Sequence, residues 1–365
     1  MRSSVIERPA ISEPGFGAFV VSFDFELHWG VRDRMPPGGP YQQNLLGSRV
    51  VIPQILRLFE RYEIAATWAT VGFLFASSRK ELDRFRPIPL PKYNDSTLDP
   101  YGEVTGSDEQ EDPLHYGASL VDQIRRSPGQ EIATHTFSHY YCLEPGQTLE
   151  TFRADLQSAV AIATERGIEL RSIVFPRNQV NSAYAPALAE AGISCYRGCE
   201  SGWMYRSIPQ SERVPALRAA RLADSYFGLP GRQIVNWAEV PEASGLCNVR
   251  GSRFLRPYQP KLRGLETLRL KRITTEMKMA AENHGIYHLW LHPHNLGVNI
   301  AANLEFFEKI LQAFAFCRER FGMRSLSMRS VADTARRQDG LRGTSDDEAQ
   351  LVGSAHSARA YRVGA

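Results

Sequence analysis

The sequence has little net charge and no long apolar run. Its 365 residues include 43 basic and 40 acidic side chains, giving a formal net charge of +3. That balance gives no electrostatic argument for nucleic acid as a partner. No window approaches the run of about 18 apolar residues that a membrane span requires. We therefore expect a protein without a transmembrane segment that does not bind nucleic acid.

Cysteine is also scarce, with five residues in the whole sequence. An odd number without a secretion signal is typical of reduced thiols in a cytoplasmic protein. The opening stretch, MRSSVIERPAISEPGFG, lacks the apolar core of a signal peptide. These absences together predict a cytoplasmic protein.

Apolar runs typical of strands alternate with segments of helical periodicity along the chain. AATWATVGFLF and RSIVFP resemble strands, whereas TLETFRADLQSAVAIATERG and LEFFEKILQAFAFCRERFG carry apolar residues at helical spacing. Such alternation predicts parallel βαβ units and hence an α/β fold. About seven such units favour a closed or nearly closed barrel over an open sheet.

We predict one catalytic-type domain, residues 18–337, preceded by an N-terminal extension, residues 1–17. Irregular insertions are expected at about 77–113, where Pro, Asp, Ser and Gly are frequent, and at about 200–260. The polar, small-residue stretch 338–365 is predicted to be a disordered tail.

Polar residues of the kinds used in catalysis follow four of the predicted strands. Asp24 and Glu26 end the first of these, and His135 and His139 follow another; FPRNQ and LHPHN end two more. The carboxyl ends of parallel strands share one face of a sheet or barrel, which is where active sites lie. We therefore expect these side chains to converge.

The two histidines of HTFSH allow two interpretations. They are either ordinary polar residues of a first helical turn or ligands of a metal ion. If a helix starts directly after the strand, positions i and i+4 lie on one face and can bind one ion. Zinc accepts imidazole nitrogens and a carboxylate as third ligand, leaving a position open for water. The accompanying carboxylates and second histidine cluster favour the metal site.

Four motifs, in this order, resemble those of the NodB-homology polysaccharide deacetylases, carbohydrate esterase family 4: VVSFDFE, HTFSH, IVFPRNQ and WLHPHN. The resemblance runs from about residue 18 to residue 335. It implies a distorted (β/α)7–8 barrel of the polysaccharide deacetylase type with loop insertions. It also implies a divalent metal, usually Zn²⁺, and a metal-dependent hydrolase that removes N-acetyl groups from a carbohydrate or sugar-conjugate substrate.

The resemblance assigns roles to individual residues. His135 and His139 match the family's metal-binding histidines. Asp24 matches the general base, His292 the general acid, and Arg177 stands near the arginine motif that orients the base. The mechanism it implies is attack of an activated water on the acetyl carbon, with His292 protonating the departing amine.

The sequence departs from the family pattern at two motifs. Phe25 stands where the family has a second Asp, its third metal ligand. Glu26 is the candidate replacement, because residues i and i+2 of an extended chain point to the same side. Asn178 and Gln179 replace the usual Tyr and Gly of the third motif. We interpret the chain as a divergent branch, tied to surface-polysaccharide or lipid-linked sugar synthesis.

Several further residues are predicted to contact the substrate. Trp29 and Trp203 have ring faces suited to sugar C–H surfaces, with packing in the core or a lid as the alternative. His294 points to the same side as His292 and is an alternative acid. The predicted substrate-binding set is Trp29, Asn178, Trp203, His294 and Asn295. Two other functions stay open: hydrolysis of small linear or cyclic amides, and carbohydrate binding by a relative that has lost its metal.

Overall fold

The computed structural model of the chain describes residues 14–212 and 214–338. Most of the predicted N-terminal extension and nearly all of the predicted tail lie outside these residues. Within these residues, nine parallel strands form one sheet: β1 Ala18–Phe25, β2 Ala66–Thr70, β3 Gln130–Thr134, β4 Ser172–Ile173, β5 Cys195–Tyr196, β6 Cys247–Asn248, β7 Arg253–Phe254, β8 Ile286–Leu291 and β9 Arg324–Ser325.

The strand order is β6-β5-β4-β3-β2-β1-β8-β7, with β9 pairing the first residues of β1. Within the described part of the chain, β6 and β7, at the two ends of this order, do not pair with each other. The sheet is therefore a barrel left open on one side. This is the α/β barrel that the alternation of strands and helices predicted.

The described ranges contain nine helices, of which the last follows β9: α1 Gln42–Tyr62, α2 Arg79–Arg84, α3 Ala118–Arg126, α4 Leu149–Glu165, α5 Ala185–Glu190, α6 Pro215–Phe227, α7 Glu266–Glu282, α8 Ile300–Phe321 and α9, residues 328–338. The segment 77–113 holds α2 and two 3-10 turns, whereas 200–260 holds α6, β6 and β7. A strand of two residues is too short to show a period of two, so no pattern in the sequence predicts β6 or β7. None of the helices in the described ranges combines the length and the apolar composition that crossing a membrane takes.

The central strand β1 is buried on both faces, as expected for a parallel sheet covered by helices. Phe19, Phe23 and Phe25 point outward into the main hydrophobic cluster, beneath the helices. Ala18 and Val20, on the other face, belong to a second cluster inside the barrel. Side chains alternate along a strand, so Asp24 must face the barrel interior while Phe25 faces the helices.

Helix α1 packs unusually close to the turn that follows β8. A Cβ atom on Gly47 would lie 1.9 Å from the carbonyl oxygen of Gly297, and one on Gly297 would lie 2.1 Å from that of Asn44. Only glycine permits this approach of two backbones. The contact fixes the turn Pro293–Leu296, which carries the second histidine cluster.

Candidate metal and catalytic site

The side chains predicted to converge do so at the carboxyl ends of β1, β3 and β8. Asp24 is the penultimate residue of β1, His135 directly follows β3, and His292 directly follows β8. A cleft of about 330 Å³ is lined by Asp24, Glu26, His139 and His292, and His135 lies beneath it. Residues more than 250 positions apart in the sequence therefore share one site.

Glu26 lies at the centre of this site, among four imidazole rings. Its Oε2 atom is 3.0 Å from Nε2 of His139 and 3.3 Å from Nε2 of His135. Its Oε1 atom is 3.6 Å from Nε2 of His292 and 3.9 Å from Nε2 of His294. Burial alone would raise the pKa of Glu26, but the imidazoles around it outweigh burial and hold that pKa well below its usual range.

Hydrogen bonding fixes the tautomer of His135. Its Nδ1 lies 2.7 Å from the carbonyl oxygen of Val174, so Nδ1 carries the proton and donates. Nε2 is then an acceptor that faces the Glu26 carboxylate, and it is a buried atom with no hydrogen-bond partner. Burial lowers the pKa of His139 to about 4, so its ring stays neutral near pH 7. Neutral nitrogen and carboxylate oxygen atoms converging in this way fit a divalent cation.

Gly30 makes room for the Glu26 carboxylate. A Cβ atom on Gly30 would lie 1.9 Å from Cδ and 2.0 Å from Oε1 of Glu26. The 3-10 turn Leu27–Gly30 folds back over Glu26, so a side chain at its last position would occupy the space of the carboxylate. Residue 30 therefore supports the site without contributing a polar atom to it.

The HTFSH segment is not helical, and the helical alternative for its two histidines is wrong. Thr136 and His139 have left-handed backbone conformations, with φ of 63° and 57°, and the next helix, α4, begins only at Leu149. Asp155 holds the turn: its carboxylate accepts hydrogen bonds from the amides of Phe137 (2.7 Å) and Ser138 (3.1 Å). The two rings, with centroids 5.1 Å apart, are brought together by this turn rather than by a helical repeat.

Asp24 is held by a buried arginine, Arg197. The guanidinium donates to both carboxylate oxygens, at 2.6 and 2.8 Å. It also donates to Ser22 and Asn178, each at 3.0 Å, and stacks 4.2 Å from the ring centre of Trp290. Burial raises the pKa of Asp24, but the charge of Arg197 outweighs burial and lowers the pKa overall. The carboxylate is thus ionised and fixed in direction.

Arg177, predicted to orient Asp24, lies beside a different carboxylate. It donates to Asp33 at 2.5 Å and stacks 4.2 Å from the ring centre of Tyr141. Its left-handed φ of 55° turns the chain after Pro176 and directs the side chain to the cleft wall. The guanidinium at Asp24 comes from Arg197, which follows β5.

The two late histidines differ in exposure. The side chain of His292 is 20% exposed and its Nε2 lies 3.7 Å from Oδ2 of Asp24. His294 is buried, and burial lowers its pKa to about 3. Of the two rings, His292 is the one that a substrate can reach while lying beside both carboxylates.

The remaining predicted substrate contacts are scattered. Asn178 and Asn295 line the cleft with His294. Trp29 is buried, donates to the carbonyl oxygen of His115 and packs edge-on against Phe73, so it belongs to the core. Trp203 is 65% exposed and stands outside the cleft lining.

Sequence reasoning missed three residues that shape the site. Arg197 directly follows the two-residue strand β5, in a segment, CYRGC, that carries no catalytic motif. Asp155 stands among the apolar positions of α4 and is fully buried. A charged residue on the apolar face of a predicted helix is the signal that could have drawn attention to it. Gly30 is one of 28 glycines, and nothing in the sequence distinguishes it from the others.

No family model and no curated protein matches this sequence. Solved structures do match. A protein described as a polysaccharide deacetylase, from Mycobacterium smegmatis, aligns over 90% of this chain and 94% of its own, with a TM-score of 0.57 and 15% identity. Another so described, from Pseudomonas aeruginosa, aligns over 91% and 95%, with a TM-score of 0.51 and 12% identity. The chain has the polysaccharide deacetylase fold.

This fold confirms the distorted (β/α)7–8 barrel that the four motifs implied. At 12 to 15% identity the likeness establishes the fold alone, because one fold hosts many functions. The case for an activity therefore depends on the side chains around Glu26.

Proposed function

We propose that this protein is a metal-dependent hydrolase that removes an N-acetyl or other N-acyl group from a sugar or glycan. The observation that carries the proposal is the position of Glu26: its carboxylate faces His135 and His139 on one side and His292 on the other. Asp24, fixed by Arg197, lies beside the same cleft. The polysaccharide deacetylase fold is consistent with this activity.

His135, His139 and Glu26 are the residues that would hold the metal. Two imidazoles and one carboxylate form a donor set that zinc favours and that leaves a coordination position open. The ion, when bound, polarises the acyl carbonyl and lowers the pKa of a water molecule. Glu26 takes the part that the second Asp of the family motif plays, and it reaches the site because Phe25 points to the other face of β1.

Asp24 is the proposed general base. Arg197 keeps it ionised and aims it, so that it can take a proton from the attacking water. His292, 3.7 Å from Asp24 and open to the cleft, is the proposed general acid for the departing amine. Each such group contributes about 10²- to 10⁴-fold to the rate. Arg177, on the cleft wall, is proposed to position the substrate rather than the base.

The test combines metal content and acetate release. His139→Ala should bind one zinc ion fewer per chain than wild type and lose activity on N-acetylated sugars. Asp24→Asn should keep the metal content of wild type and lose turnover. His284→Asn, which changes an exposed histidine at the end of α7, is the matched control and should alter neither quantity. Equal zinc content in wild type and His139→Ala would overturn the proposal.

A further inference from the structure

A second cavity opens beside the cleft and is strongly basic. It has a volume of about 320 Å³ and shares a wall with the cleft, formed by Arg177, Asn178, Arg221, Trp290 and His292. Since His292 belongs to both spaces, a molecule in this cavity can extend to the reacting centre. The volume suits one charged group of a small substrate.

The side chains that line the cavity are mostly positively charged. Among the described residues that line it, Glu200 is the only acid. The basic residues of the lining include six arginines: Arg177, Arg206, Arg218, Arg221, Arg253 and Arg256. Guanidinium groups clustered at this density repel one another unless anions separate them, so the lining favours an anionic occupant.

Carboxylates elsewhere in the fold compensate only part of this charge. Arg253 is paired with Glu276 at 2.8 Å. In the ranges that the structure describes, no carboxylate lies within ion-pair distance of Arg206, Arg218, Arg221 or Arg256. Two of these side chains are held in position by hydrogen bonds from Nε: Arg221 donates to the carbonyl oxygen of Met204, and Arg256 donates to the hydroxyl of Ser225. Their terminal nitrogens remain available for a ligand.

We propose that this cavity binds a phosphate or diphosphate group of the sugar substrate. The inference rests on the proposed function and adds the chemical class of the substrate to it. Several guanidinium forks match the oxygens of a phosphoryl group, and they carry enough charge to balance a dianion. A neutral glycan would bring no counter-charge to Arg206, Arg218, Arg221 and Arg256.

Calorimetric binding of inorganic pyrophosphate tests the assignment without requiring turnover. Arg218→Gln and Arg256→Gln should each weaken binding by about tenfold or more, because each removes a charged hydrogen-bond donor. Arg232→Gln, an exposed arginine of the same segment, is the matched control and should bind as wild type does. Repeating the series in a His139→Ala background separates this cavity from anion binding at the metal centre.

Unchanged pyrophosphate affinity in Arg218→Gln and Arg256→Gln would overturn the assignment. Glucuronate binding as tight as pyrophosphate would overturn the phosphoryl class, since a carboxylate would then suffice. A chain that binds pyrophosphate through these arginines but releases no acetate would support this inference and refute the deacetylase proposal. The two failures are therefore distinguishable.

A separate group of side chains, two histidines and a carboxylate, converges outside the cleft. His28 lies in the turn after β1, His115 precedes α3, and Glu103 lies in the segment between α2 and α3. Nδ1 of His28 is 2.9 Å from Nε2 of His115, and Oε1 of Glu103 is 3.9 Å from both nitrogens. Both histidines are buried.

The tautomers of these histidines conflict with a simple hydrogen bond. Nε2 of His28 lies 2.8 Å from the carbonyl oxygen of Met35, so it carries a proton. Nδ1 of His115 lies 2.7 Å from Oδ2 of Asp112, so it carries a proton too. The two nitrogens that face each other are therefore both lone-pair atoms when the rings are neutral. A proton or a metal cation between them would relieve this conflict.

We infer that His28, His115 and Glu103 bind a second divalent metal ion of the zinc type. A proton shared by the two rings, with Glu103 as its counter-ion, is the alternative; the metal ion is inferred because the three donor atoms converge as the ligands of one ion do, all within 4.8 Å of one another. Asp112 and the Met35 carbonyl orient the rings as outer partners do in zinc sites. The ion would join the segment carrying Glu103 and His115 to the turn that follows Glu26.

Metal counting after zinc loading and dialysis tests this site. Wild type should bind one more ion per chain than His115→Ala and one more than Glu103→Gln; the second substitution changes a partly exposed side chain and spares the core. Glu111→Gln, an exposed carboxylate of the same segment, is the control and should retain the full content. The double variant His139→Ala/His115→Ala should bind no zinc.

Thermal melting gives a second readout. Zinc should raise the melting temperature of His139→Ala, in which only this site remains, and should not raise that of the double variant. Equal zinc content in wild type, His115→Ala and Glu103→Gln would overturn the inference. Zinc lost in His115→Ala but not in His139→Ala would support this site and refute the one at Glu26.

Discussion

Substituting Gly30 by alanine tests the candidate metal centre without altering any ligand. The added Cβ atom would lie 1.9 Å from Cδ and between 2.0 and 2.4 Å from the carboxylate oxygens of Glu26. Real Cβ contacts are not shorter than 3.0 Å, so the carboxylate must retreat by about 1 Å. The backbone at residue 30 has no left-handed φ, so alanine fits its conformation.

The expected result is a folded protein with a weakened metal site. Ligand distances in metal sites hold within about 0.2 Å, so a displacement of about 1 Å removes Glu26 from the donor set. Loss of an outer partner alone lowers metal affinity by about 10- to 100-fold, and loss of a ligand should cost at least as much. The end of a flexible side chain can move away, so the melting temperature without metal should change little.

Zinc affinity measured by competition with a chromophoric chelator provides the assay. Gly264→Ala is the matched control, because nothing lies within 4 Å of a Cβ atom at that position. It should bind zinc as wild type does. Wild-type affinity in Gly30→Ala, with a circular dichroism spectrum that shows the native fold, would refute the assignment of Glu26 as a ligand.

Three further substitutions probe the supports of the site. Arg197→Gln removes the double hydrogen bond to Asp24 and should lower kcat by about 100-fold with zinc content unchanged, as steady-state kinetics and elemental analysis would reveal. Asp155→Ala leaves two buried amides without acceptors, at about 1–3 kcal/mol each, and should lower the urea midpoint. Gly47→Ala places a Cβ atom against the backbone of Gly297 and should destabilise the fold by about 1–3 kcal/mol in urea titration. A midpoint equal to that of wild type in either of the last two variants would contradict the packing argument.

The sequence predicted the long elements well and the short ones poorly. Helices such as α4 and α8 carry enough turns for an apolar stripe to show, and β8 is a continuous apolar run. Strands β6 and β7 contain two residues each, so no periodicity can be detected there, whereas β4 lies within the predicted strand RSIVFP. Helix α6 was missed because it lies in the segment 200–260 that was predicted to be an irregular insertion, although its apolar residues do gather on one helix face.

In the site, the sequence predicted which residues meet but not how they are held. Asp24, Glu26, His135, His139 and His292 converge because strand ends share one face, and that follows from topology alone. The supports depend on contacts between distant segments. Arg197 reaches Asp24 across 173 positions, a separation that no local pattern encodes.

The sequence left open whether the chain had lost its metal, because Phe25 replaces a ligand of the family motif. Phe25 is the last residue of β1 and faces the helices, where it packs in the main cluster. Because side chains alternate along a strand, Phe25 packs in the core and Glu26, the next residue, faces the histidines. A chain without a bound metal would gain nothing from burying the Glu26 carboxylate against two imidazoles, or from a glycine at residue 30 that leaves room for that carboxylate. Burying these groups without a cation is costly, so their retention argues for a metal centre in which the third ligand has moved by one residue.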